Sequence, residues 1–164
     1  MFMDSQKASR KAITQKNKIF IDFLTQGRIK YNPQYRDFFE NVSDQEKIAL
    51  DIEHIVPKKI IEDHIKDLKI SQQKAYPVSA VGNLCYLTAK VNRGKGADSL
   101  FKWIEERKEF EPKQEVIDCI LYPSKSELDF FNLNYEDFRE KYDIFIENRQ
   151  NLMKEKFLEL IKKY

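Results

Sequence analysis

Apolar residues recur along most of this chain at the spacing of helix faces, and one central stretch departs from it. Between Lys18 and Gln26, Ile19, Phe20, Phe23 and Leu24 fall on one side of a helix that Gly27 is placed to end. Asn32-Pro33 signals a turn, and Ser43 followed by Glu46 has the form of a capping box before a short turn. DIEHIVP at 51–57 breaks the helical spacing: it is apolar, β-branched and closed by Pro57, and it predicts a short strand. KKIIEDHIKDLKI at 58–70 predicts a helix with Ile60, Ile61, Ile65 and Leu68 on one side, and 71–80, with Pro77, predict a loop. VGNLCYLTA at 81–89 predicts a second strand. A Gly-punctuated turn follows, then a helix from about Asp98, which is placed to cap it.

Pro112 and Pro123 punctuate a middle segment. The last segment gives the clearest helix. Asn134 is its N-cap, Asp137 lies in its first turn, and Phe138, Tyr142, Phe145, Ile146, Leu152, Phe157, Leu160 and Ile161 track one face. The pattern therefore predicts an α+β, mostly helical chain. It forms a single domain over 1–164, with a two-stranded unit inside a core at about 50–105. Helical flanks cover about 18–49 and 106–164, and residues 1–16 are a polar, basic lead-in.

Composition narrows the class. With 164 residues, 41% hydrophobic content, 4 Gly and 5 Pro, the chain can bury a core and does not read as disordered. The formal net charge is only +2, yet charged residues make up 34%, so local clusters decide the electrostatics. Two Cys, Cys85 and Cys119, and two His at these spacings cannot build a disulfide framework or a four-ligand zinc site, so no structural zinc is expected. A reducing, cytoplasmic setting is the simplest reading. The start has no apolar signal region, and no apolar run approaches the roughly 20 residues that span a bilayer, so no membrane association is expected.

The residues that can carry chemistry gather in the β-containing unit. Hydrolysing a phosphodiester requires a base for the attacking water, a divalent cation against the developing charge, and fixed groups that align them. His54 suits the base, because imidazole titrates near neutral pH. Glu53 offers a hard carboxylate oxygen and Asn92 a neutral amide oxygen, which leaves room for the waters that Mg²⁺ or Mn²⁺ retains. Neighbours on a straight strand point to opposite faces, so Glu53 and His54 share a site only if the strand ends there. Pro57 makes such an ending reasonable.

An acid-His-Ile-x-Pro string, a GNL strand and then NRGKG together form a specific pattern. DIEHIVP at 51–57 resembles the first-strand motif of the HNH endonucleases of the ββα-metal fold, and VGNLCYLTAKVNRGKG at 81–96 resembles their second strand and helix start. The pair is similar to the HNH domain of the CRISPR RNA-guided DNA endonucleases. It is also similar to the nuclease half of GmrSD-type modification-dependent restriction enzymes, whose helical tail YEDFREKYDIFIENRQNLMKEKFLELI resembles. The resemblance implies a ββα-metal core embedded in flanking helices, with Glu53 as metal-binding acid and His54 as general base. It implies that Asn83 pins the site loop through backbone hydrogen bonds, and that Asn92 is the last metal ligand. Asp51 matches an accessory acid found in some members. The insertion at 58–80 departs from the family pattern.

Lys58, Lys59, Lys90, Arg93, Lys95 and Lys102 cluster around the unit. Arg93 and Lys95, beside Asn92, are expected to grip phosphates, a contact without sequence information. Lys58 and Lys59 read equally well as a solvated surface. His64, in the insertion, is expected to be packed or exposed, and Phe101, Trp103 and Ile104 to belong to the core. These readings lead to a metal-dependent endonuclease acting on DNA in restriction or anti-phage defence, with recognition supplied by a separate subunit or domain. The alternative is a non-catalytic nucleic-acid-binding module on a degenerate form of the same fold.

Overall fold

Two short antiparallel strands, β1 (Leu50–His54) and β2 (Leu84–Thr88), pair in the register Leu50↔Thr88 to His54↔Leu84. The computed structural model describes residues 16–17, 19–21, 23–25, 50–96, 98–106, 117–118 and 120–163, with backbone alone for 50 and 88–91. The expected helix end at Gly27, turn at Asn32-Pro33, capping box at Ser43 and Glu46, Pro112 and Cys119 lie outside those residues, as does the lead-in up to residue 15.

β1 is shorter than the expected 51–57 strand. Its ladder gives way where the Val56 N–H is taken by a side chain, Asn83 Oδ1, at 2.8 Å. Ile55 and Val56 then turn fully into the core, and Pro57 precedes helix α1 (Lys58–Ile65), whose Ile61 and Ile65 are buried. A second helix, α2 (Ile70–Ala75), stands where a loop was expected. It has no buried residue and owes little to apolar packing. Side chains set it instead: the Lys69 N–H donates to Gln72 Oε1 at 3.2 Å, and Gln73 Nε2 donates back to the carbonyls of Lys66 (2.9 Å) and Leu68 (2.8 Å). Those bonds satisfy backbone groups that the end of a helix leaves open.

Residues Val81–Asn83 form a 3-10 turn rather than the start of the second strand. β2 follows, with Leu84 to Leu87 all buried, and passes directly into α3 (Ala89–Lys95). Strand, strand and helix thus make a ββα unit in an α+β chain whose other regular elements, among the described residues, are helices. Helix α4 (Leu100–Glu106) is capped by Ser99, whose Oγ accepts from the Lys102 N–H at 3.2 Å. The Asp98 carboxylate, the expected cap, pairs with the Lys102 side chain at 2.6 Å.

The long C-terminal helix, α5 (Tyr135–Ile161), starts where the sequence placed it, with Asn134 Oδ1 accepting from the Asp137 N–H at 3.1 Å. Phe138, Tyr142, Phe145, Ile146, Arg149, Met153 and Leu160 are buried along it. Leu152 and Ile161, expected on that face, are 45% and 44% exposed. At 3.6 residues per turn, Met153 takes the inward position that Leu152 would need. Residues 16–17, 19–21 and 23–25 are helical, and the rings of Phe20 and Phe23 meet Phe157 of α5 at 5.9 and 5.6 Å. Phe130, Phe138, Tyr142 and Phe145 form the aromatic part of one core with Tyr86 and Leu87 of the sheet. Trp103 and Ile104 are buried in the same core as expected, and Phe101 lies edge-on to Tyr122.

Candidate active site

The site is built on the turn between α2 and β2, and α5 holds that turn. A Cβ on Gly82 would sit 2.7 Å from the Ile146 carbonyl oxygen of α5, so only glycine allows this approach. Arg149 reaches from α5 beneath the turn: its Nε donates to the Gly82 carbonyl (3.3 Å) and its Nη2 to the Leu84 carbonyl (3.2 Å). The guanidinium is buried, and desolvation pushes its pKa below the usual arginine range. Tyr142 adds a bond from its hydroxyl to the Pro77 carbonyl at 3.0 Å.

Asn83 is fully buried and its carboxamide is spent on backbone. Oδ1 accepts from the Val56 N–H (2.8 Å), and Nδ2 donates to the carbonyls of Val78 (2.9 Å) and Val56 (3.2 Å). Its own carbonyl accepts from the Ile55 N–H at 2.9 Å. One residue thus fastens the segment that follows His54 to the segment that precedes Ser79. His54, the last residue of β1, sets its Nε2 3.1 Å from Ser79 Oγ. The tautomer sets the direction: with the proton on Nε2 the ring donates to the Ser79 hydroxyl, and Nδ1 keeps the lone pair that can accept a proton. Desolvation lowers the His54 pKa below 6.5; Glu53 opposes that shift, and Lys58 and Lys95 add to it.

Glu53 pairs across the sheet with buried Cys85, whose thiol burial raises to a pKa of about 12. Its Oε1 lies 2.5 Å from the ammonium of Lys95, and the two side chains are 13% and 0% exposed. Asn92 stands one turn before Lys95 on α3, and residues three apart share a helix face. Asp51 lies two residues before Glu53 on β1, hence on the same face of the sheet, and is partly exposed. One carboxylate and one neutral amide are hard oxygen donors of the kind that Mg²⁺ or Mn²⁺ takes alongside retained waters. No group of three or more His, Cys, Asp or Glu side chains comes together among the described residues.

A family model described as GmrSD restriction endonucleases, C-terminal domain, matches residues 3–156. The chain belongs to that family. Neither the curated proteins nor the solved structures contain a match to it.

In this GmrSD C-terminal domain the basic residues divide into two kinds. Lys58 and Lys59 are exposed on α1 and form i,i+4 pairs with Glu62 (3.3 Å) and Asp63 (2.6 Å). Such surface pairs are weak and leave both ammonium groups open to a phosphate. Arg93 is exposed on α3, and Lys102 is exposed and paired with Asp98. Lys90 lies on α3, with its side chain outside the described residues. Lys95 does not belong with them. It is 3% exposed and its ammonium is spent inside the site, so the phosphate-gripping role expected of it does not fit its place.

His64 is packed: it stacks on Phe138 at 3.8 Å, with its ring nitrogens 2.8 and 3.0 Å from the carbonyl oxygens of Ile60 and Leu133. Among the described residues of the domain, no helix is long and apolar enough to cross a membrane. Ser79 and Arg149 carry no signal in the sequence pattern. Gly82 carried a readable signal, because an isolated glycine at a strand start marks a close backbone approach.

Proposed function

We propose that this domain is a metal-dependent HNH-type endonuclease that hydrolyses DNA phosphodiesters, with His54 as general base. The observation that carries the reading is the His54 environment. The imidazole sits at the end of a strand, beside a carboxylate, on a loop fastened by a buried amide, and burial favours its neutral form. A neutral imidazole is the form that accepts a proton from water. Ser79 orients the ring, and Asn83 fixes the backbone on both sides of it. Glu53 and Asn92 would hold Mg²⁺ or Mn²⁺, which when bound supplies positive charge against the phosphate and leaving oxygen. Asp51, on the Glu53 face, is an accessory acid.

Lys58, Lys59, Lys90 and Arg93 flank the site and suit backbone phosphates. Phosphate contacts position a duplex without reading its sequence. The target is therefore chosen by a separate recognition subunit or domain, and family membership supports a role in restriction. The test is nicking of supercoiled plasmid by the full chain in Mg²⁺, with EDTA and His54→Ala as comparisons. Loss of a general base lowers the rate by about 10²–10⁴. Nicking that survives both EDTA and His54→Ala would sink the reading.

A further inference from the structure

The ammonium of Lys95 lies in a complete cage. Its three donors meet Glu53 Oε1 at 2.5 Å, the Asp98 carbonyl at 3.2 Å and the Gly96 carbonyl at 3.4 Å. An ammonium has three donors and no acceptor, so the cage uses all of them. Gly96 helps to build it: its φ of +55° lies in the left-handed region, which turns the chain back at the end of α3. The Lys95 side chain is 0% exposed, and a cation is not placed that deep without a partner that needs it. The partner is the carboxylate assigned to the metal.

We infer that Lys95 is the resident counter-cation of Glu53, a positioning residue that holds this carboxylate in place before a divalent ion arrives and sets how tightly that ion binds. The inference rests on the metal reading of Glu53. A carboxylate whose charge is already balanced attracts a second cation less, and the ammonium repels a dication placed on the other carboxylate oxygen. Like charges a few ångströms apart inside a protein interact strongly. Lys95 thus keeps the metal-free fold intact at the cost of metal affinity.

The experiment is calorimetric titration with Mn²⁺ and thermal melting, on the full chain and its Lys95→Met variant, with Glu53→Gln as reference. The variant is expected to bind Mn²⁺ about tenfold tighter or more. It is also expected to melt lower than wild type without metal, and to gain more from saturating Mn²⁺ than wild type does. A variant that is unfolded alone and folds when Mn²⁺ is added supports the same conclusion. One that stays unfolded in saturating Mn²⁺ overturns it, because its defect is then packing and not charge. If wild type binds Mn²⁺ and Lys95→Met binds no tighter, the inference fails while the metal reading stands. If Glu53→Gln binds Mn²⁺ as tightly as wild type, or if neither wild type nor Lys95→Met takes it up, the metal reading fails and the inference falls with it.

Discussion

Replacing Asn83 by alanine tests how the site is held. The substitution removes three hydrogen bonds, at 2.8, 2.9 and 3.2 Å, from a residue with no exposed surface. The Val56 N–H is buried and would be left without its acceptor, at a cost of about 1–3 kcal/mol. The two carbonyls lose a donor each, at about 0.5–1.5 kcal/mol apiece, and part of that is recovered by water at Val78, which is only half-buried. Together the loss is about 2–4 kcal/mol. In a chain of this size each kcal/mol lowers Tm by about 2–4 °C, so the variant should melt about 4–16 °C below wild type. Below its melting range the turnover should fall about 10–100-fold, as for other groups that orient a site from behind. Mn²⁺ affinity should change little, because the amide is spent on backbone. Melting curves, single-turnover nicking and Mn²⁺ titration read the three effects separately. A variant that melts within about 1 °C of wild type, or one that folds normally and loses Mn²⁺ binding, would refute the assignment of Asn83 as a loop fastener.

Four further outcomes follow from the same geometry. Burial holds the His54 pKa below 6.5, so the acid limb of the kcat/KM profile should lie below pH 6.5 and the rate should be flat above it. The same shift makes the unfolded chain bind the His54 proton first as pH falls, so stability should decline below pH 6.5 and level off beneath the folded pKa; acid titration of Tm against His54→Gln checks the sign. Gly82→Ala should push α5 off the turn, because its Cβ meets the Ile146 carbonyl, and destabilise by about 1–3 kcal/mol with slower nicking; a variant as stable as wild type would contradict the clamp. Nicking should fall steeply between low and moderate salt, with little preference among sites on long DNA, and Lys58→Ala should lower the log–log salt slope by about 1; mapped cut sites and rates at several salt concentrations decide it.

The fold was legible where local chemistry settles the structure. DIEH of DIEHIVP is strand, ending at His54 three residues before Pro57, and Asn134 caps α5 with its own side chain. The apolar neighbours of Val81–Asn83 predict a strand there, whereas these residues form a 3-10 turn packed against α5 at Gly82, and the strand begins at Leu84. α2 escaped notice because ISQQKA has no apolar face; it is set by Gln72 and Gln73 bonding to backbone. Lys95 sits in NRGKG, which reads as a basic surface loop. Only the depth of Glu53, 42 residues earlier, turns that lysine inward. The same holds for Arg149, which lies among charged residues of a helix and is buried under a turn 67 residues away.

The most direct test of His54 as the base is chemical rescue. His54→Gly should fold, bind DNA and lose about 10²–10⁴ in Mg²⁺-dependent nicking. Added imidazole should restore part of the rate in proportion to its unprotonated fraction. A His54→Gly protein that nicks at nearly the wild-type rate without imidazole would contradict the central claim.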